Sequence, residues 1–146
     1  MSQTYASPSR SENLGPVIEL RTPAEASQLA PIRGVSAALA GQCNMNLDQI
    51  ADLQLAVDEA CSALFRIAIR ETEIVCRFRL SADTFQFSAG VATARSDVDW
   101  PYERRFGWHV LRTLTDELEL HRHHGNGDGS SSTVVISFTL HGGDMT

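Results

Sequence analysis

Lysine is missing from this 146-residue chain; all twelve of its basic residues are arginine. No Walker-type lysine can sit on a phosphate, and no lysine can form a Schiff base or act as a general base. Arginine suits planar, bidentate recognition of carboxylates, which fits a protein-binding surface. Basic charge is scarce as a whole: the formal net charge is −6, which argues against nucleic-acid binding through bulk electrostatics. No apolar run approaches the length of a membrane span. The opening "MSQTYASPSRSENLGP" lacks a basic region followed by an apolar one, so no secretory signal is expected and the expected address is the cytoplasm. Cysteine is limited to Cys43, Cys61 and Cys76, an odd number without CxxC spacing. Cys61 and Cys76 sit in apolar patterns and read as reduced core residues, while Cys43, in an expected loop, is the candidate reactive thiol. Ser62 lacks a G-x-S-x-G setting, which removes the support for a hydrolase.

What remains is a globular composition, 42% apolar, sized for one domain. A disordered tail is expected over residues 1–15 and a single domain over 16–146. "PVIELR" reads as a strand. In "PAEASQLAPIRGVSAALAGQ" the spacing of Leu29, Ile32, Val35, Ala38 and Leu39 predicts a helix, with Pro31 marking a first turn or a kink. Asn46 is the candidate N-cap of a helix from Leu47 to about Ile69, whose stripe runs Leu53, Val57, Ala60, Leu64, Ile67. The period then changes to two. In "EIVCRFRL", Ile74, Cys76, Phe78 and Leu80 alternate with polar neighbours, and in "TFQFSAGV", Phe85, Phe87 and Ala89 do the same, giving a hairpin around "SAD". "ATARSDVDWPYERR" is a loop long enough to be a functional segment. "FGWHVLRTLTDELEL" predicts a helix with Val110, Leu111, Leu114 and Leu118 inward, passing into a strand near Leu118 to His121, and "STVVISFTL" a last strand. This order implies an α+β fold: a two-layer sandwich with a mixed, mostly antiparallel sheet and helices on one face.

Two features invite a chemical reading. "HRHHGNGDG" holds metal-ligating residue types but no partners at fixed offsets, and reads as a polar hairpin turn with no metal site. His109 reads as a partly buried packing residue. In "LQLAVDEACSALFRIA", Asp58 and Glu59 are adjacent and so point about 100° apart on a helix. Glu59 shares a strip with Leu55, Ser62, Ala63 and Arg66, and Asp58 lies toward Gln54, Ser62 and Phe65. Spacing alone puts both on a solvated face, with Arg66 offsetting their charge.

Taken in order, four segments resemble the boxes of the anti-sigma factors of the RsbW and SpoIIAB type, small serine protein kinases with the GHKL (gyrase, histidine-kinase) ATPase fold. They are "LQLAVDEACSALFRIA", "FQFSAG", "RFGWHVLRTLTDELEL" and "GDGSSSTVVISFTL", within residues 17–141. The resemblance implies Mg-ATP as cofactor and a homodimer that grips a stress-response sigma factor. It also implies an anti-anti-sigma factor of STAS type that competes for an overlapping surface and is the kinase's substrate. Neither membrane nor direct nucleic-acid contact is implied. Glu59 falls on the glutamate that activates the phosphate acceptor, Gly90 and Gly107 on glycines of the nucleotide boxes, Thr133 on the threonine near the adenine pocket, and Arg33 on an arginine that contacts both partners.

Other positions depart from the pattern. The asparagine that holds Mg²⁺ corresponds to Ala63, the following histidine to Ile67, and the adenine-reading aspartate to Ser88. Trp108 and His109 bring bulk where the family's lid has small residues. Phosphoryl transfer depends on Mg²⁺ bridging the phosphates, so these departures point to an anti-sigma factor with a decayed nucleotide site. The alternatives are an active serine kinase with a rebuilt metal site, and a small-molecule sensor on the same scaffold.

Overall fold

The computed structural model describes residues 15–126 and 131–142. Apart from Gly15, the expected tail lies outside them, as does the Gly127–Asp128–Gly129 end of the histidine-rich turn. Five strands form one sheet in the order β1-β2-β3-β5-β4: β1 Ile18–Pro23, β2 Glu73–Leu80, β3 Thr84–Thr93, β4 Glu117–His123 and β5 Ser132–His141. Every pairing among the described residues is antiparallel, so the sheet is not mixed. β1 and β2 are joined through two helices, β2 and β3 by a tight turn, and the chain leaving β3 crosses over to β4 at the sheet edge before β5 returns between them.

Period-two patterning decides which face is covered. Phe85, Phe87, Ala89, Val91 and Thr93 of β3 are buried, as are Ile74, Cys76 and Phe78 of β2 and Val134, Ile136, Phe138 and Leu140 of β5. The aromatic members form a continuous seam: Phe87 lies 5.3 Å from Phe78 and 5.1 Å from Phe138, ring centre to ring centre. The helices lie on this face. The opposite face is open to solvent and carries the residues between.

Helix α1, Leu29–Ala40, follows a 3-10 turn at Ala26–Gln28 and has Pro31 in its first turn, where a missing N–H costs nothing. Helix α2, Leu47–Phe65, starts with a capping box in which Asn46 and Gln49 bond each other's backbone N–H at 2.8 and 2.9 Å. It ends four residues short of the expected Ile69. The physical reason is competition from the sheet: Ala68 bridges Thr93, and the Ile69 N–H donates to the Ala92 carbonyl at 2.9 Å. Helix α3, Phe106–Leu114, stops at Thr115, whose hydroxyl donates to the Leu111 carbonyl at 2.7 Å. Leu118 therefore belongs to β4, opposite Phe138, rather than to the helix. Leu111 is fully buried, Val110 and Leu114 partly so, and His109 is exposed rather than packed. Cys43 is buried as well: its thiol lies 3.7 Å from the Thr84 carbonyl, and burial followed by the charge of Asp83 pushes its pKa up, which removes the reading of a reactive loop thiol. Among the described residues no helix is long and apolar enough to cross a membrane.

Candidate functional site

Helix α2 is the middle helix, with α1 on one side and α3 on the other. The adjacent carboxylates use this position. Asp58 points to α1, where Arg33 donates from Nε to Oδ1 and from Nη2 to Oδ2, each at 3.0 Å. Glu59 points toward the N-terminal end of α3, where Tyr102, on the 3-10 turn Tyr102–Arg104 that precedes the helix, donates its hydroxyl to Oε2 at 2.6 Å. Neither is a free solvated charge, and the partner that offsets Asp58 is Arg33, not Arg66.

Around Glu59 the chain closes tightly. Tyr102 is only 2% exposed. Its ring stacks on Trp100 at 4.6 Å and meets the edge of Trp108 at 5.7 Å. Gly107 lies directly against the Glu59 carboxylate: a methyl group there would come within 2.7 Å of the carboxyl carbon and 2.9 Å of the Tyr102 hydroxyl. This glycine is needed for close approach, since its backbone is ordinary helix. Burial, then the bond to Glu59 and that carboxylate's charge, holds the Tyr102 hydroxyl far above the ordinary tyrosine range. It is a fixed donor.

The segment bearing Trp100 and Tyr102 is tied down from outside too. Arg122, at the end of β4, donates to both carboxylate oxygens of Glu103 at 3.0 and 2.7 Å and to the Trp100 carbonyl at 2.9 Å. The Arg122 guanidinium holds the Glu103 carboxyl below its usual range. His124 approaches Asp99 at 2.9 Å. The length of this loop marks it as a functional segment but does not single out Trp100 or Tyr102, and nothing in β4 singles out Arg122. The available signal is two aromatic pairs in "WPYERRFGW", Trp100/Tyr102 and Phe106/Trp108, each with a spacing of two.

Glu59 and Gly107 are thus brought together, while the other nucleotide candidates are not. Ser88, Gly90 and Thr133 lie on the open face of the sheet, across it from Glu59. Ser88 pairs with Arg77 and Ser137, and Thr133 with Ala92 and His123. Gly90 sits under Val135, whose Cγ2 would be 3.0 Å from an added methyl; it makes room for a cross-strand neighbour. Ser88 accordingly cannot stand for a carboxylate reading adenine from the helix side. The residue that reaches the helix-covered face at the end of β3 is Thr93, 1% exposed, whose Oγ1 has no hydrogen-bond partner among the described residues.

Mg-ATP is the group the resemblance implies, and the cleft between α2 and α3 does not fit it. Position 63 presents a methyl group, 1% exposed, where a metal ligand is needed. One oxygen of Glu59 is already bonded to Tyr102, and Gly107 packs directly against the same carboxylate. A single buried hydroxyl at Thr93 does not replace these groups. Among the described residues no cluster of His, Cys, Asp or Glu is placed to hold a metal ion.

Comparison with known proteins matches residues 22–137 to the histidine kinase-like ATPase domain. The chain is 30% identical over 122 residues to the anti-sigma-F factor RsbW of Mycobacterium tuberculosis, covering 84% of this chain and 71% of the relative. It is 28% identical over 133 residues to the serine-protein kinase RsbW of Bacillus subtilis, covering 78% and 83%. A histidine kinase domain from the Erythrobacter litoralis EL346 blue-light activated histidine kinase aligns with a TM-score of 0.43 at 19% identity, over 80% of this chain and 60% of that one. The chain belongs to the histidine kinase-like ATPase domain family and, within it, to the RsbW type.

Proposed function

We propose that this chain is an anti-sigma factor that sequesters an alternative sigma factor by direct binding, and so restrains transcription from the cytoplasm. Its relatives are named as an anti-sigma-F factor and as serine-protein kinases, and the balance between those two activities rests on the cleft. The observation that carries the reading is the Tyr102–Glu59 bond: the carboxylate that would activate a phosphate acceptor is capped by the chain's own hydroxyl, beside a position without a metal ligand. Binding survives such a loss, whereas phosphoryl transfer does not. On the other flank, Arg33 is held in a bidentate pair with Asp58 yet remains partly exposed, so that a partner carboxylate can add to its unused donors. Release then comes from competition by an anti-anti-sigma factor of STAS type for the same surface.

A homodimer completes the proposal. The open face supports it: on β3 and β5 this face carries Ser88, Gly90, Ala92, Thr133, Val135 and Ser137, small uncharged side chains on the two strands flanked by β2 and β4. Such a flat centre allows two sheets to stack at about 10 Å.

Pull-down of candidate sigma factors by the purified chain tests the binding, and no complex at micromolar concentration overturns it. Labelled phosphate transfer to an anti-anti-sigma partner separates the kinase alternative. Background-level transfer that Glu59→Ala does not change is the expected result, and transfer that this variant abolishes restores the enzyme.

A further inference from the structure

The mismatch between the cleft and a nucleotide has a positive side, because the cleft is not merely short of ligands but filled. Four contacts fix the largely exposed segment 94–105 over it, with Tyr102 as the side chain that enters. The Tyr102 hydroxyl sits on Glu59 at 2.6 Å, Trp100 and Trp108 enclose its ring, Arg122 clamps Glu103 and the Trp100 carbonyl, and the segment's turns close on themselves. The closing bonds run from the Asp97 N–H to Ala94, from Trp100 to Asp97, and from Arg105 to Tyr102, at 2.9, 3.1 and 2.8 Å. We infer that this segment is an internal ligand: Tyr102 takes the place on Glu59 that a substrate hydroxyl or nucleotide-bound group would take, and holds α2 and α3 together without any cofactor.

The chemistry supports occupancy rather than catalysis. A hydroxyl 2.6 Å from a carboxylate is in the position of an acceptor about to lose its proton, yet this one is a buried phenol, 2% exposed and flanked by Trp100 and Trp108. A hydrogen bond to a carboxylate is among the stronger kinds, and its loss leaves a buried donor or acceptor unpaired. The latch is therefore a local two-state element whose open form exposes Glu59. Its consequence for the protein is that partner binding runs without a nucleotide cycle. The inference rests on the cleft alone, so it stands or falls separately from the identity of the partner.

Hydrogen exchange on the isolated chain tests it, with Tyr102→Phe, Glu59→Ala and the double variant. Each single change should raise exchange of the amides of residues 97–105 by about tenfold or more and leave the amides of β3 and β5 unchanged. Glu59→Ala keeps a good helix former in α2, so the test survives even if the tyrosine variant folds poorly. The double variant should exchange no faster than the faster single one, because both remove the same bond. Mg-ATP and Mg-ADP at millimolar concentration should leave both the melting temperature and this exchange pattern of the wild-type chain unchanged. Unaltered exchange over 97–105 in both single variants would overturn the latch, and so would a nucleotide-induced rise of several degrees in the wild-type chain.

Discussion

Ionisation of Tyr102 is suppressed by its surroundings, and that fixes how stability responds to alkali. Its folded-state pKa is raised, first by burial and then by Glu59. Stability from keeping the phenol neutral is therefore complete below pH 10, the value of a free tyrosine, and falls as pH rises further, because only the unfolded chain then releases the proton. Absorbance at 295 nm should accordingly be the same for the wild type and Tyr102→Phe up to the pH at which the wild type unfolds, and the variant's alkaline unfolding should be less steep. At Gly107 the expected effect is steric. Gly107→Ala adds a methyl against Glu59 and Tyr102, and although alanine is the better helix former by about 1 kcal/mol, overpacking of about 1–3 kcal/mol should win, giving a lower urea midpoint at unchanged slope. The order of the boxes assigns Glu59 and Gly107 each to the nucleotide site but says nothing of the contact between them. Motif order puts Gly90 and Thr133, and the lost carboxylate at Ser88, in the nucleotide site, but periodicity disagrees: Phe85, Phe87 and Ala89 face the core, so Ser88 and Gly90 face away. Tyr102 was not legible, since its meaning depends on a fold-back across more than forty residues to reach Glu59.

Elements were easier to read than contacts. The N-cap at Asn46, the two hairpin periods and the stripe of α2 as far as Leu64 are local signals, and each is present where the spacing puts it. Ends were harder, because they are decided by tertiary competition: Ala68 and Ile69 leave the helix to pair with Thr93 and Ala92, and Leu118 leaves it for β4. The turn between α2 and β2 shows what this costs. Glu71 adopts φ 62°, the one left-handed non-glycine backbone among the described residues. A side chain there carries about 1–2 kcal/mol of strain, against about 0.5–1 kcal/mol of extra chain entropy for glycine. Glu71→Gly should thus raise the melting temperature by about 1–3 °C, as read by calorimetry, while leaving the β2–β3 register intact. A melting temperature that falls would show that the Glu71 side chain contributes more than its backbone costs.

The whole molecule is asymmetric between its two sheet faces, and each face serves a different proposed purpose. The helix-covered face holds the core and the latched cleft. The open face has small side chains at its centre, with Arg21, Arg77 and Arg79 toward β1 and β2 and Glu117 and Glu119 on β4. If copies of the chain stack through this face, a long charged side chain at its centre must hold the sheets apart and leave a desolvated charge without a partner. Ser88→Arg places one there, on β3 between Arg77 and Ser137. Because Ser88 points away from the core, the fold should lose no more than about 1 kcal/mol, mainly from the new arginine facing Arg77 across the strands, so assembly and stability can be read apart. Sedimentation equilibrium of the wild type should give the mass of two chains, and Ser88→Arg that of one at the same concentration with an unchanged far-ultraviolet spectrum. Loss of the Arg33 surface is a separate matter: Asp58→Asn should leave the dimer intact and weaken only partner binding. A dimer that persists in Ser88→Arg would move the interface off the sheet.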